Sequence, residues 1–438
     1  MQKKRFLLIV VLVILVIIVS APLFTKGLFT SQDGEKHLIR IGYFHKEILR
    51  GNPIPKWISE LNNGLGYPVF FFNYPLPYYL AVFWRIMGVS IIDSLKITLL
   101  LATMAGALGV YLWTKEFSSA VIYLFTPYRF LDIFVRLSYG EFIALCILPF
   151  CFFSVGLGNL FLISISMAFL LLSHGHIFVI FTPILLLYSF LKRRVRLFLF
   201  GLLLALGLSA FYWLPAAFLV SHTKFNLVHQ FPPADHLPTF RELIYSKWGF
   251  GLSHPGPFDE MSFQLGIVNW IILIWVTIIA FKSEQQLAKF LAITIWFSIL
   301  IMSTNPFHFW NQPFIQFIQF PWRLLSVSLI LTPLALVVIS PPRLILAILL
   351  TLAIYTNRNH ITTNMPWFSE TSDQYFLTNG STTTSTPDEN MPKNPYPEVK
   401  YEFINHPSIP ISYTISSVSI VCLIVIMFLR NKWSPLQS

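Results

Sequence analysis

Ionisable side chains gather in one short stretch directly after the first apolar run of the chain. In "FTSQDGEKHLIRIGYF", residues 29–44, the stretch places Asp33, Glu35, His37 and Arg40 within eight residues. A carboxylate or an imidazole can take a proton from a hydroxyl, and a guanidinium can bind a phosphate through several hydrogen bonds. Asp33, Glu35, His37 and Arg40 are therefore candidate functional residues, the first three for proton transfer and Arg40 for binding an anion.

Further charged residues stand where later apolar runs end. "PYRFLDIFVRLSYGEF" covers residues 127–142, "LSHGH" follows an apolar run, and "FPWRLL" begins one. Charges this close to hydrocarbon are costly and tend to face a cavity or a ligand. The predicted substrate- and phosphate-binding residues are Arg40, Arg129, Arg136, Glu141, His174, Trp322 and Arg323.

Structural roles stay open for several of these residues. Asp132 and Arg136, four residues apart, can pair with each other on one helix face. Arg323 can anchor a helix end at the membrane surface by extending its charge into the headgroups.

The sequence predicts no metal site. His174 and His176 are two residues apart and do not share a helix face, so these two side chains alone are not expected to bind a metal ion. No zinc spacing, P-loop or nucleophile elbow is present, so any catalysis has to come from segments between the apolar runs. A divalent metal as a cofactor is left open.

A helix is expected to carry the first group of ionisable residues. Ser31 can cap it, and residues 34–49 alternate apolar and polar side chains at helical spacing, which puts Asp33, His37 and Arg40 on one face. We expect this helix to lie on the bilayer with that face toward the water–lipid interface. A merely solvated charged face is the alternative. The other face is formed by Leu38, Ile41, Phe44 and Ile48.

The composition indicates the class of protein that holds these residues. Hydrophobic residues make up 55% of the 438, charged residues 11%, and the mean hydropathy is +0.67. This is too little polar surface for a soluble globule, so we predict an all-α integral membrane protein with about 12 transmembrane helices and a large first outer loop that carries juxtamembrane helices. The predicted spans are residues 6–24, 93–113, 117–131, 141–156, 159–173, 176–191, 197–219, 263–281, 287–304, 322–339, 342–356 and 411–429. The three cysteines all fall in such runs, which predicts buried thiols without disulfides.

Basic residues orient the predicted spans. If residues 75–88 form a helix on the outer surface, the cytoplasmic segments and both termini hold 13 of the 30 Lys and Arg residues, against only Glu116 and Glu284. The formal net charge of +11 then reflects membrane topology, and no nucleic-acid partner is expected. We predict a multi-pass protein of the cell membrane with cytoplasmic N- and C-termini.

Three regions follow from this layout. Residues 1–356 form the transmembrane domain with its outer loop at 25–92, residues 357–410 form a Thr- and Pro-rich outer loop, and residues 411–438 form the last span and a cytoplasmic tail.

Several motifs occur in an order that resembles a known family. They are "GNPIPKW", "GLGYPVFFFNYPLPYYL", "TPYRFLDIFVRLSYGE", "LSHGH", "FYWLPA" and "FPWRLL". Over about residues 1–340 the chain resembles the prokaryotic membrane proteins catalogued as 6-pyruvoyl-tetrahydropterin-synthase-related, which look like a branch of the GT-C glycosyltransferase superfamily. The pterin part of that name finds no support, because the chain has no three-histidine zinc cluster.

The resemblance implies a function as well as a GT-C-like fold. It implies a sugar donor carried on a polyprenyl phosphate, a glycan, lipid or protein acceptor, and catalysis on the outer face. The acidic residue of the first outer loop, here Asp33 with Glu35 second, would act as base or metal ligand. Arg136 and Arg323, with Arg129 or Arg40 in reserve, would stabilise the leaving phosphate. A transporter or flippase for a lipid-linked glycan and a non-catalytic membrane scaffold are the alternatives.

Overall fold

The computed structural model describes residues 2–62, 64–224, 232–256, 259–313, 315–368, 373–378 and 398–433. Much of the predicted Thr- and Pro-rich loop, residues 379–397, and the last five residues of the predicted tail lie outside these ranges. The α-helices are α1 Gln2–Val19, α2 Gly34–Leu49, α3 Val69–Phe72, α4 Leu76–Ile86, α5 Ile91–Thr114, α6 Phe117–Leu124, α7 Pro127–Phe130, α8 Tyr139–Leu157, α9 Leu160–Ser173, α10 Gly175–Leu191, α11 Val195–Leu208, α12 Ala210–Leu219, α13 Phe240–Ile244, α14 Ile267–Lys282, α15 Gln286–Ser303, α16 Leu325–Ile339, α17 Arg343–Asn357, α18 Asp373–Thr378, α19 Glu398–Asn405 and α20 Ser408–Trp433.

Apolar helices dominate the fold, as the composition predicts. Within the described residues, five helical segments are long and apolar enough to cross a membrane, and the bent pair α11–α12 makes a sixth candidate. Shorter apolar helices coincide with the predicted spans at 6–24, 159–173, 176–191 and 263–281. The chain is a multi-pass helical membrane protein, while the number twelve and the orientation of the termini stay predictions.

Helices α8 and α16 lie at the centre of the bundle. α8 packs on α5, α9 and α10, and α16 packs on α6, α14 and α15. The apolar 18-residue stretch of the segment Pro321–Ile339 is 83% buried inside the protein, whereas that of Phe403–Met427 is 22% buried. The centre of the fold is therefore the start of α16 and of α8, and α20 lies at the periphery.

The predicted span at 117–131 is wrong as one continuous helix. α6 ends at Leu124, and Thr126 is extended because the residue before a proline avoids the helical region. After α7, residues Leu131–Arg136 form a π-helix that ends at Leu137 in the left-handed region, with φ of 50°. The break turns the chain back on itself directly before α8.

The predicted span at 197–219 is also broken, at Ser209, where α11 and α12 meet at 72°. Pro215 lacks the N–H that would bond to the Phe211 carbonyl oxygen in α12. The buried Lys56 supplies the missing donor, with Nζ 2.7 Å from that oxygen. A loop lysine thus stabilises the second half of the broken helix.

Helix α2 has the predicted bounds, residues 34–49, but a different N-cap and environment. Asp33 occupies the N-cap position, so the prediction of Ser31 as the cap is wrong. His37 and Arg40 are buried together with Leu38 and Ile41. The expectation that the ionisable face of α2 points to the water–lipid interface is therefore wrong for His37 and Arg40, because α4 and α5 cover the helix.

Part of the segment 357–410 packs on the first outer loop. Strand β1, Leu28–Phe29, pairs antiparallel with strand β2, Pro366–Phe368. α18 packs on α2, where the Tyr43 hydroxyl donates to the Leu377 carbonyl oxygen at 2.8 Å. The described part of this predicted loop is therefore structured and closes over the N-terminal region.

Candidate functional site

A buried ion-pair cluster centres on Glu141. Its Oε2 accepts hydrogen bonds from Arg136 Nη1 at 3.1 Å and from Arg323 Nε at 3.2 Å, and the Tyr128 hydroxyl donates to Oε1. Arg136 Nη1 also lies 2.6 Å from Asp132 Oδ1. The predicted pairing of Asp132 with Arg136 is confirmed, but it is one edge of a larger network.

The backbone break before α8 makes this cluster. The left-handed Leu137 reverses the chain, so Arg136 at the end of the π-helix and Glu141 in the first turn of α8 face each other. Arg323 arrives from the 3-10 turn Pro321–Leu324 at the start of α16. The ring of Trp322 lies 4.4 Å below the Arg136 guanidinium, a cation–π contact that fixes its plane.

Asp33 is attached to the same cluster through the backbone. The backbone N–H of Asp33 donates to the Arg136 carbonyl oxygen at 3.0 Å, and the backbone N–H of Gln32 donates to the Val135 carbonyl oxygen at 3.1 Å. The carboxylate pairs with Lys36 at 3.1 Å and keeps 35% of its side chain exposed. Asp33 is therefore a reachable carboxylate at the edge of a buried polar region.

The charge state of Asp33 follows from its surroundings. Burial acts to raise its pKa, but Lys36, His37 and Arg136 outweigh that effect and hold the pKa below the ordinary value of 3.8. The carboxylate is ionised at neutral pH.

His37 and Arg40 continue along the same face of α2. The Tyr78 hydroxyl lies 2.9 Å from His37 Nδ1 and beside the Arg40 guanidinium. Burial, aided by the charge of Arg40, lowers the pKa of His37 to about 3, so the ring is neutral and carries one proton. When the Tyr78 hydroxyl donates to Nδ1, that proton lies on Nε2, which has no hydrogen-bond partner among the described residues.

Tyr74 lies between Arg40 and the ion-pair cluster. Its hydroxyl accepts the N–H of Gly140, next to Glu141, at 3.2 Å, and its ring lies 5.5 Å from that of His174. Burial beside Arg323 holds the pKa of His174 well below its usual value. Predicted residues from α2, the π-helix, the first turn of α8 and the turns before α10 and α16 thus meet in one place. We call this cluster of side chains the polar chamber, and its members are Asp33, His37, Arg40, Arg136, Glu141, His174, Trp322 and Arg323.

Several buried polar atoms around the chamber have no hydrogen-bond partner within the described ranges. Native interiors rarely leave such atoms unpaired, since each costs about 1–3 kcal/mol. These atoms are Ser31 Oγ, Arg40 Nε, Asp132 Oδ2, Ser173 Oγ, His176 Nδ1 and Trp322 Nε1. The polar chamber therefore holds hydrogen-bonding capacity that no described residue uses.

Two predicted site residues lie apart from the cluster. Arg129 donates to the Leu124 carbonyl oxygen at 3.3 Å and to Thr103 at 3.2 Å, and so caps the end of α6. Glu35 forms no hydrogen bond or ion pair with any described residue, and burial raises its pKa. No group of three or more His, Cys, Asp and Glu side chains in the described ranges is placed to hold a metal ion.

Sequence reasoning missed three tyrosines of the site, Tyr74, Tyr78 and Tyr128. Tyr74 and Tyr78 belong to the aromatic motif "GLGYPVFFFNYPLPYYL", in which no residue type or spacing singles them out. Their hydroxyl positions next to Arg40 and Gly140 depend on contacts between distant segments. Only Tyr128 could have been found from the sequence, because it directly precedes Arg129 in the charged motif "PYRFLDIFVRLSYGEF".

Comparisons with known proteins identify a fold relative. No family model and no curated protein sequence matches the chain, so the resemblance to the catalogued family is not confirmed. The cryo-EM structure of the arabinofuranosyltransferase AftD from Mycobacteria superposes with a TM-score of 0.51 at 12% identity, over 82% of this chain and 26% of that enzyme. The chain thus spans about a quarter of the length of AftD, and the likeness supports the predicted GT-C-like fold.

Proposed function

We propose that this protein is a membrane glycosyltransferase that moves a sugar from a polyprenyl-phosphate donor to an acceptor on the outer face of the membrane. The observation that carries the proposal is the ionised, partly exposed carboxylate of Asp33 beside a buried chamber with three arginines. The fold similarity to an arabinofuranosyltransferase supports the same reaction class. A lipid-linked donor fits a site at the end of apolar helices.

In this reaction Asp33 accepts the proton of the acceptor hydroxyl. The low pKa makes Asp33 a weak base, so we expect the proton to move late, when the hydroxyl oxygen has begun to bond to the anomeric carbon and has become acidic. His37, with the proton on Nε2, can donate a hydrogen bond to a sugar or acceptor oxygen. Its neutral state also leaves the negative charge of Asp33 available.

The leaving phosphate requires positive charge and hydrogen-bond donors. Arginine supplies both and remains charged in an apolar environment. Arg136 and Arg323 pair with Glu141 in this region, and Arg40 lies on the neighbouring helix α2. Three guanidinium groups therefore lie close to Asp33.

The test is transfer of label from polyprenyl-phosphate sugars by the purified protein in detergent, with and without added divalent metal. Asp33→Asn should lower turnover by about 10²- to 10⁴-fold, the usual loss on removing a general base. Asp235→Asn is the matched control, because Asp235 is an exposed acidic residue of another loop. Normal turnover in Asp33→Asn would reject the role of Asp33, and no transfer by the wild type with any donor would favour the transporter or scaffold.

A further inference from the structure

The charges of the polar chamber are matched except at one residue. Arg136 pairs with Asp132 and Glu141, Arg323 pairs with Glu141, and Lys36 pairs with Asp33. Arg40 is 5% exposed and forms no ion pair with any described residue. An anion that enters the chamber therefore meets neutralised arginines at the cluster and an unmatched positive charge at Arg40.

The neighbours of Arg40 are neutral hydrogen-bonding groups. Nη1 donates to Asn73 Oδ1 at 3.2 Å, and the hydroxyls of Tyr78 and Tyr74 lie beside the guanidinium. Nε is buried and has no partner. A buried charge without a counter-ion is costly, so a fold that retains one has a use for it.

Three other buried cations form no ion pair with a carboxylate of the described residues but have structural explanations. Lys56 replaces the hydrogen bond that Pro215 removes from α12. Lys96 donates to the Thr25 carbonyl oxygen at 2.5 Å and so links α5 to the end of the first apolar segment. Arg129 caps the end of α6, and the rings of Phe130 and Phe142 cover its guanidinium at 5.2 and 5.7 Å. All three donate to backbone carbonyl oxygens, whereas Arg40 lies inside α2 and donates to the side chain of Asn73.

Helix α2 also sets a useful order of groups. Asp33, His37 and Arg40 follow one another on one face, and seven residues of helix rise about 10 Å. That length accommodates an acceptor oxygen at Asp33, one sugar ring beside His37 and a phosphate at Arg40. The attacking and leaving oxygens then lie on opposite sides of the anomeric carbon.

We infer that Arg40, with Asn73 and Tyr78, is the site that binds the phosphate of a prenyl-phosphate sugar, in line with Asp33 along α2. This inference rests on the proposed function. The acceptor oxygen forms a bond to the anomeric carbon, the bond from that carbon to the phosphate oxygen breaks, and its electron pair leaves with the phosphate at Arg40. The acceptor proton passes to Asp33. The Arg136–Glu141–Arg323 cluster positions Asp33 and does not receive the phosphate.

Binding of undecaprenyl phosphate and of uncharged undecaprenol to the full-length protein in detergent tests the site. Arg40→Gln should weaken binding of undecaprenyl phosphate about 10- to 100-fold, the usual loss for hydrogen bonds to a charged group, and leave undecaprenol binding unchanged. Arg50→Gln is the control, since Arg50 follows the same helix and pairs with Glu60 at the surface. Arg40→Lys should retain part of the binding, and competition by inorganic phosphate distinguishes a lipid site from a free-phosphate site.

Two results would overturn the inference. In the first, Arg40→Gln binds undecaprenyl phosphate as tightly as the wild type does. In the second, Arg40→Gln loses affinity for undecaprenyl phosphate and for undecaprenol to the same extent. Thermal melting separates folding from binding: without ligand, Arg40→Met should melt no lower than the wild type, because it removes an unmatched buried charge. Lipid-phosphate binding that depends on Arg40 without any sugar transfer would retain the site and reject the glycosyltransferase. If Arg40→Gln still transfers sugar and still binds undecaprenyl phosphate like the wild type, the glycosyltransferase is retained and the assignment of the phosphate site to Arg40 is rejected.

Discussion

Replacement of Glu141 by glutamine tests whether the ion-pair cluster holds the centre of the fold. Glu141 is fully buried and accepts from Arg136, Arg323 and Tyr128. Glutamine retains the shape but removes the charge, and its amide hydrogens face guanidinium donors. Because this leaves buried arginines without their carboxylate, we expect Glu141→Gln to lower the free energy of unfolding by about 3–5 kcal/mol.

The assay is equilibrium unfolding in mixed micelles with increasing SDS, followed by tryptophan fluorescence. Glu284→Gln is the control, since Glu284 pairs with Lys289 at 2.6 Å but is 92% exposed, and its replacement should cause no measurable change. A loss below about 1 kcal/mol for Glu141→Gln would refute the reasoning, because that is the value of a solvated surface pair. It would show that water reaches the cluster.

Two further variants address the surroundings of the chamber. The pKa of His37 is about 3 in the folded protein and 6.5 in a free side chain, so the unfolded chain takes up the proton first as the pH falls. The free energy of unfolding should therefore decrease by about 1.4 kcal/mol per pH unit between pH 6.5 and pH 3. SDS unfolding compared at pH 7 and pH 5 should show a smaller decrease in His37→Gln than in the wild type. A Cβ on Gly140 would lie 2.2 Å from the Tyr74 ring and 2.5 Å from the Ser173 carbonyl oxygen, so Gly140→Ala should cost about 1–3 kcal/mol and reduce sugar transfer. Gly156→Ala, with its nearest neighbour atom at 3.6 Å, should do neither in the same assays.

Local patterns in the sequence predicted local structure well. The length of α2 and the pairing of Asp132 with Arg136 both depend on residues within two helical turns, and both are found. The helical period also placed His37 and Arg40 on the face that meets Tyr78. Helical spacing is a property of the backbone, so it holds in any environment.

Contacts between distant segments could not be predicted in this way. Glu141 and Arg323 are 182 residues apart, and they meet only because Leu137 reverses the chain in a conformation that sequence alone does not indicate for leucine. The same limit explains why Arg129 was grouped with Arg136. Both lie in one motif, but the break at Pro127 turns the Arg129 guanidinium toward the end of α6.

The pairing of β1 with β2 has a consequence for how the protein is made. Thr30 Oγ1 donates to the carbonyl oxygen of Met365, 335 residues further along the chain. α18, in the same late segment, covers Gly42 of α2, the helix that Asp33 caps. A Cβ atom added to Gly42 would lie 3.0 Å from the Leu377 side chain. The ribosome therefore delivers the cover of α2 after nearly all the apolar helices have been synthesised. In a nascent chain stalled before residue 365, α2 would lack this cover, so the surroundings of Asp33 are completed only at the last stage of biosynthesis.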